Sequence, residues 1–190
     1  MDHFRFVAPL YDRLFASPDP GHLRQVLDLP VTGQILDVGG GTGRVAQMLR
    51  GLADKVVILD ESAPMLRQAL LKGLPATRGQ AEWLPFPDGA FARILVVDAF
   101  HHLQDQQRAA SELLRVLAPW GRIVIEEPNI EQASVRLLAL AEKLALMRSH
   151  FCSPATVQRI FEAAGGQVCL VRQGMNFWAI TEKRDATPLT

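Results

Sequence analysis

The apolar run Ile35-Leu36-Asp37-Val38 leads into a glycine cluster, Gly39-Gly40-Gly41-Thr42-Gly43, which opens a helix, and a second apolar run, Val56-Val57-Ile58-Leu59, ends on Asp60. This order prescribes a strand, a tight turn, a helix and a neighbouring strand. Glycines 39, 41 and 43 fall at alternate positions, where missing side chains let backbone N–H groups and a helix N-terminus approach a ligand closely. In a doubly wound sheet Asp60 lies beside that turn, placed to accept hydrogen bonds from both hydroxyls of a ribose. The pattern outlines a nucleoside-cofactor site.

The same grammar continues along the chain. Strands are expected at 34–38, 55–59, 75–78, 91–98 and 121–126, with helices at 43–51, 62–72 and about 105–118 between them. Ala118-Pro119-Trp120-Gly121 makes the turn before the fifth strand. The runs Ile94-Leu95-Val96-Val97 and Ile123-Val124-Ile125 are continuously apolar, as parallel strands covered on both faces require. Two strand-like runs near the end, 167–172 and 176–181, are separated by only a few residues including Gly174. A parallel crossover needs a dozen residues or more, so an antiparallel hairpin closes the sheet. The expected fold class is α/β: a doubly wound, Rossmann-like sheet of seven strands, mostly parallel, with an antiparallel C-terminal hairpin strand. Ahead of it, helical patterns at 6–16 and 20–28 are broken apart by Ser17-Pro18-Asp19-Pro20-Gly21.

At 190 residues and 48% hydrophobic content, a single domain spanning 1–190 is the expectation. Twenty basic and twenty acidic residues cancel, which gives no bulk electrostatic case for nucleic acid or a membrane surface as partner. No apolar run reaches the roughly 18 to 20 residues of a membrane span, and Met1-Asp2-His3-Phe4-Arg5 lacks a signal core, so the reading is cytoplasmic. Cys152 and Cys169 carry no metal-ligand or disulfide spacing; no metal site is expected, and both read as ordinary buried thiols.

Four segments in one order carry a resemblance: Leu36 to Gly43, Asp60-Glu61-Ser62-Ala63-Pro64-Met65-Leu66, Gly79-Gln80-Ala81-Glu82-Trp83-Leu84-Pro85-Phe86, and Leu114-Arg115-Val116-Leu117-Ala118-Pro119-Trp120-Gly121-Arg122. Over nearly all its length the chain resembles the class I S-adenosylmethionine-dependent methyltransferases, and within them the small ubiquinone/menaquinone-biosynthesis type. The resemblance implies S-adenosyl-L-methionine as cofactor and a small, apolar or aromatic molecule as methyl acceptor. It implies that Asp37 with Gly39, Gly40, Gly41 and Gly43 holds the amino acid end of the cofactor, the alternative for Asp37 being a loop-fixing carboxylate. Asp60 then anchors the ribose, against a reading in which it merely caps the next helix, a task Ser62 can perform. Glu61 stands beside it, and Met65 packs on the adenine or in the core. Gln80 takes the place of the family's acidic residue and can still accept from the adenine amine. Ala81 and Glu82 follow it at the ring, and Trp83 is either core or a stacking wall.

The same resemblance sets Asp98 near the sulfonium and Tyr11 on the closing lid, so that residues 1–30 form an N-terminal helical lid. His101 and His102 are the adjacent pair suited to accepting a proton near neutrality, or else pack and brace a loop. Residues 130–150 form a helical insertion over the acceptor site. Its apolar stretch 130–148 either roofs an acceptor pocket or meets a second subunit as a homodimer. Glu127 and Asn129 could touch the acceptor, with Phe151 and Cys152 behind them. Methyl transfer is an in-line displacement with an activated leaving group, so aligned binding in a site that excludes water can supply much of the acceleration. Two rival readings stand beside this one: a methyltransferase-like binding protein without turnover, and an NAD-dependent oxidoreductase, which the glycine turn and Asp60 alone would also suit.

Overall fold

A computed structural model describes residues 18–136 and 149–183. Helix α1, Pro20–Val26, starts on Asp19, whose carboxylate accepts from the Gly21 and His22 amides, with Pro20 supplying the preset φ of a first turn. Strand β1, Gln34–Val38, runs into the glycine turn, and α2, Arg44–Met48, follows it. Then come β2, Lys55–Asp60, α3, Ala63–Leu71, β3, Ala76–Arg78, and β4, Phe91–Val97. A single 3-10 turn, Phe100–His102, leads to α4, Gln106–Val116, capped by Asp105. Strand β5, Leu117–Pro128, precedes α5, Pro154–Ala163, and the hairpin β6, Gly166–Gln173, with β7, Asn176–Lys183.

The seven strands lie in the order β3-β2-β1-β4-β5-β7-β6. All neighbouring pairs are parallel except those made by β7, which runs antiparallel to both β5 and β6. The order reverses between β1 and β4, and in sheets of this kind ligands sit outside the carboxyl ends of the strands at that point. Two apolar layers cover the sheet. One gathers Leu23, Val45, Leu66 and Ala69 of α1, α2 and α3 onto Ile35, Leu95, Val97 and Val124. The other gathers Leu113 and Leu114 of α4 and Val157 and Phe161 of α5 onto Leu36, Ile94, Val96, Ile123 and Ile125. Alternate residues of each strand therefore serve opposite layers. That parity later decides the fate of two adjacent glutamates.

Differences from the expected elements are local. The helix expected to 118 ends at Val116, because Leu117 already pairs with Phe91. Between that pair and Arg93↔Arg122 the register shifts, and Ala118 to Gly121 swell out of the ladder with Trp120 exposed at φ 61°. The anticipated turn is thus a bulge within β5. Helix α5 was not anticipated, although Ser153-Pro154 is a start signal: the Ser153 hydroxyl accepts from Thr156 N–H and Pro154 sits in the first turn. Cys152 is half-buried, whereas Cys169 is exposed, since β6 forms the outer edge of the sheet. The helical pattern at 6–16, Tyr11 and residues 137–148 of the insertion lie outside the described residues. Among those described, no helix is long and apolar enough to cross a membrane.

Candidate functional site

The carboxyl edge of β1 and β2 is built by the glycine turn. Gly39, Gly41 and Gly43, the three alternating glycines, all adopt positive φ, at 69°, 54° and 77°. Left-handed backbone at three positions so close together strongly favours glycine, and a Cβ at Gly43 would also overlap Leu74 and Ile58. A Cβ at Gly40 would stand 2.6 Å from the Asp37 carboxyl, so this position keeps that acid's surroundings clear. Asp60 is held rather than loose. Its Oδ2 accepts from Gly41 N–H at 2.9 Å and its Oδ1 from Ser62 N–H at 2.8 Å. Ser62 occupies the N-cap position of α3 without a side-chain cap bond, and its own amide is the one that Asp60 holds. These two N–H bonds fix the orientation of the carboxylate at the sheet edge.

Asp37 is 1% exposed, and its Oδ2 has no hydrogen-bond partner among the described residues. Burial, then the charge of Asp60, pushes its carboxyl up to about 7, against the pull of Arg44 and the Ala46 amide. Glu126, at the end of β5, repeats the pattern. Its Oε1 accepts from Asn176 Nδ2 at 2.8 Å, its Oε2 is buried without a partner among the described residues, and burial pushes the carboxyl up to about 7, with Asp98 and Glu127 adding repulsion and Asn176 and Arg44 opposing. A buried carboxylate oxygen left unpaired costs free energy, and a polar ligand group can repay that cost.

At the opposite flank, Met65 is buried in α3 yet belongs to neither apolar layer. Gln80 is exposed and its side chain hydrogen-bonds Glu61, an exposed acid whose pKa is raised by partial desolvation and by Glu82 and Asp60. Ala81 is buried beside them. Glu82 is turned inward: its Oε1 accepts from the Gln104 and Asp105 amides at 2.8 and 3.2 Å, which ties the loop before α4. Trp83 is 62% exposed, with the Arg108 guanidinium over its ring at 3.1 Å from the centroid, and is neither core nor wall.

Past β4 the chain bends at Asp98, φ 49°, whose N–H bonds to Glu126 O at 3.0 Å. His101 Nδ1 lies 2.6 Å from Glu127 Oε2, and Glu127 Oε1 accepts from Phe100 N–H at 2.7 Å. The two side chains are 5% and 4% exposed. Phe151 stacks on the His101 ring, with centroids 4.2 Å apart and planes 11° from parallel. Gln106 Nε2 bonds the Phe100 and His150 carbonyls, while Cys152 Sγ donates to Gln106 Oε1 at 3.0 Å. His102 is half-buried, and burial followed by the neighbouring His101 charge drives its pKa down to about 4. Asn129 is turned to the backbone, its Oδ1 accepting from Glu131 N–H at 3.0 Å.

The structure thus brings Asp37, the glycines, Asp60, Asp98 and the end of β5 to one sheet edge and gathers Glu61, Gln80 and Glu82 at its flank. Sequence reasoning passed over Glu126 and Asn176. The available signal was two consecutive acids ending an apolar strand, since strand parity must send them to opposite faces.

The family model described as "Methyltransferase domain" matches residues 36–125, the stretch that holds the glycine turn, Asp60, Gln80 and the two histidines. The demethylmenaquinone methyltransferase of Thermus thermophilus is 39% identical over 139 residues, 65% of this chain and 63% of that protein. A ubiquinone/menaquinone biosynthesis C-methyltransferase of Hahella chejuensis is 35% identical over 104 residues, 49% of this chain and 42% of the relative. The match spans less than two thirds of those relatives' length. Among solved structures, an Aquifex aeolicus S-adenosylmethionine-dependent methyltransferase superposes with a TM-score of 0.72 at 22% identity, covering 92% of this chain and 97% of that one. That likeness is one of fold.

Proposed function

Residues 36–125 of the chain belong to the methyltransferase domain family, and on that premise we propose that the protein moves a methyl group from S-adenosyl-L-methionine to a carbon of a small aromatic, quinol-type ring. The observation that carries the cofactor reading is the pair of carboxylates at the glycine turn. Asp60 is pre-oriented by two backbone amides, and Asp37 keeps one oxygen unpaired in a buried setting. These residues fit the cofactor. Asp37 would take the ammonium of the amino acid end, the turn amides its carboxylate, and Asp60 the ribose hydroxyls, while Met65, Gln80 and Ala81 would face the adenine. The bound cofactor supplies an electrophilic methyl on a sulfonium. What this chain's residues contribute is alignment and exclusion of water.

His101 is the better of the two histidines as proton acceptor. Glu127 at its Nδ1 orients the ring and favours the protonated imidazole, whereas burial holds His102 neutral down to well below pH 7. The antiparallel β7 between β5 and β6 differs from the all-parallel sheet of dinucleotide-dependent oxidoreductases and favours the methyl-transfer reading. The curated relatives' names support a quinone-type ring as acceptor, and the balanced charge favours a small molecule over a nucleic acid. Calorimetric titration with S-adenosylmethionine, its demethylated product and NAD tests the proposal. Micromolar binding of the first two alone supports it. Binding of NAD alone overturns it, and binding of the first two without methylation of any quinol or phenol in a panel turns the protein into a cofactor-binding module.

A further inference from the structure

Glu126 and Glu127 are adjacent in β5 and chemically identical, yet the protein completes only one of them. Glu127 lies on the side of Ile123 and Ile125, and both its oxygens are engaged, by Phe100 N–H and His101 Nδ1. Glu126 continues the side of Val124. Its Oε1 is fixed by Asn176, two residues from the Trp178 that pairs with Glu126 across the ladder, and its Oε2 is buried with no partner among the described residues. The carbonyl of Glu126 accepts the Asp98 amide, so this acid stands beside the residue expected next to the methyl donor. The packing leaves a shaped, half-satisfied hydrogen-bonding group at the carboxyl end of β5, beside Asp98.

We propose that Glu126 reads the methyl acceptor, its Oε2 pairing with a hydroxyl on the acceptor ring while Asn176 holds Oε1; this rests on the methyl-transfer reading above. A hydroxyl suits the position because it can donate to a carboxylate and accept from a carboxylic acid, so it serves Glu126 in either protonation state near neutrality. An acceptor carrying its own carboxylate or phosphate would meet repulsion from Asp98, Glu126 and Glu127 together. The preferred acceptor is therefore an uncharged hydroxylated ring.

The test uses the full chain saturated with the demethylated cofactor and titrated, under reducing conditions, with naphthohydroquinone and with its dimethyl ether. The wild type is expected to bind the diol about tenfold more tightly than the ether, one hydrogen bond's worth. Glu126→Met should erase that preference while keeping the affinity for the demethylated cofactor and a Tm no lower than the wild type's. Glu126→Gln, which keeps the shape and places an amide against Asn176, gives a second reading should the methionine variant not fold, and the preference should fall there too. Retention of the diol preference in both variants would sink the assignment. So would a lowered Tm with parallel loss of cofactor product, which would make Glu126 a structural residue. Equal binding of diol and ether by the wild type removes the Glu126 role alone, whereas failure of the wild type to bind either ring removes the acceptor class with it.

Discussion

The two faces of the sheet at its carboxyl edge are built from the same materials and finished differently. On the α4 and α5 side, Glu127, His101, Phe100, Phe151 and Gln106 close a network whose acid is satisfied on both oxygens. On the α1 to α3 side, Asp37 and Glu126 are also buried, each with an oxygen unpaired among the described residues and a carboxyl pushed up to about 7. A closed network contributes stability and rigidity. An open one gives up stability in the ligand-free protein and holds binding groups in place. The two sides of the sheet edge thus differ in how completely the fold satisfies their buried acids.

The sharpest way to break the contrast is Glu127→Ala. It strands the His101 imidazole and the Phe100 amide in a site only a few per cent exposed, and removing one partner of a buried pair costs about 3–5 kcal/mol. Denaturant unfolding should register that loss. A loss under 1 kcal/mol would mean that the network is not what holds this side together.

Next comes Asp60→Ala, which should weaken binding of S-adenosylmethionine by roughly 1.5–3 kcal/mol, the worth of hydrogen bonds to a charged group. Calorimetry measures it, and unchanged affinity would remove the ribose assignment.

On the open side the sign reverses. Glu126→Met should leave the ligand-free protein as stable as the wild type or about 1 kcal/mol more stable at pH 8, because it replaces a buried, half-satisfied charge by apolar volume. The folded Glu126 carboxyl lies above its ordinary value, so between about 4.5 and about 7 the native state holds more protons than the unfolded one. Its contribution to stability therefore falls as pH rises through that window, and the variant should flatten the decline.

Asp37→Asn should produce the smallest change at neutral pH and the clearest change in pH dependence. Because Asp37 ionises near 7, affinity for the cationic cofactor should rise between pH 6 and 8 in the wild type and stay level in the variant. A wild-type affinity that is flat across that range would show that Asp37 does not meet the ammonium.

Much of this site was legible before any coordinates. The alternate spacing of Gly39, Gly41 and Gly43 marked the tight turn, where the structure shows three left-handed residues, and Asp60 lies where the strand grammar sends it, although it braces the loop. The terminal hairpin, too, followed from a connection too short for a crossover. Other roles were hidden because they depend on distant partners. Glu82 reads like a cofactor contact until the amides of Gln104 and Asp105 claim it. Trp83 reads as core or as a stacking wall until Arg108 lies across its exposed ring. Nothing local to His101 announces Glu127, twenty-six positions away.

The sequence by itself determined the order of the strands, the glycine turn and the acid that ends β2, since each depends on backbone conformation and periodicity within a few residues. Only the tertiary structure decided which buried carboxylates are completed and which are left open. That outcome depends on what strand parity and the neighbouring strands bring within about 3 Å of each oxygen, a distance at which a hydrogen bond either forms or does not.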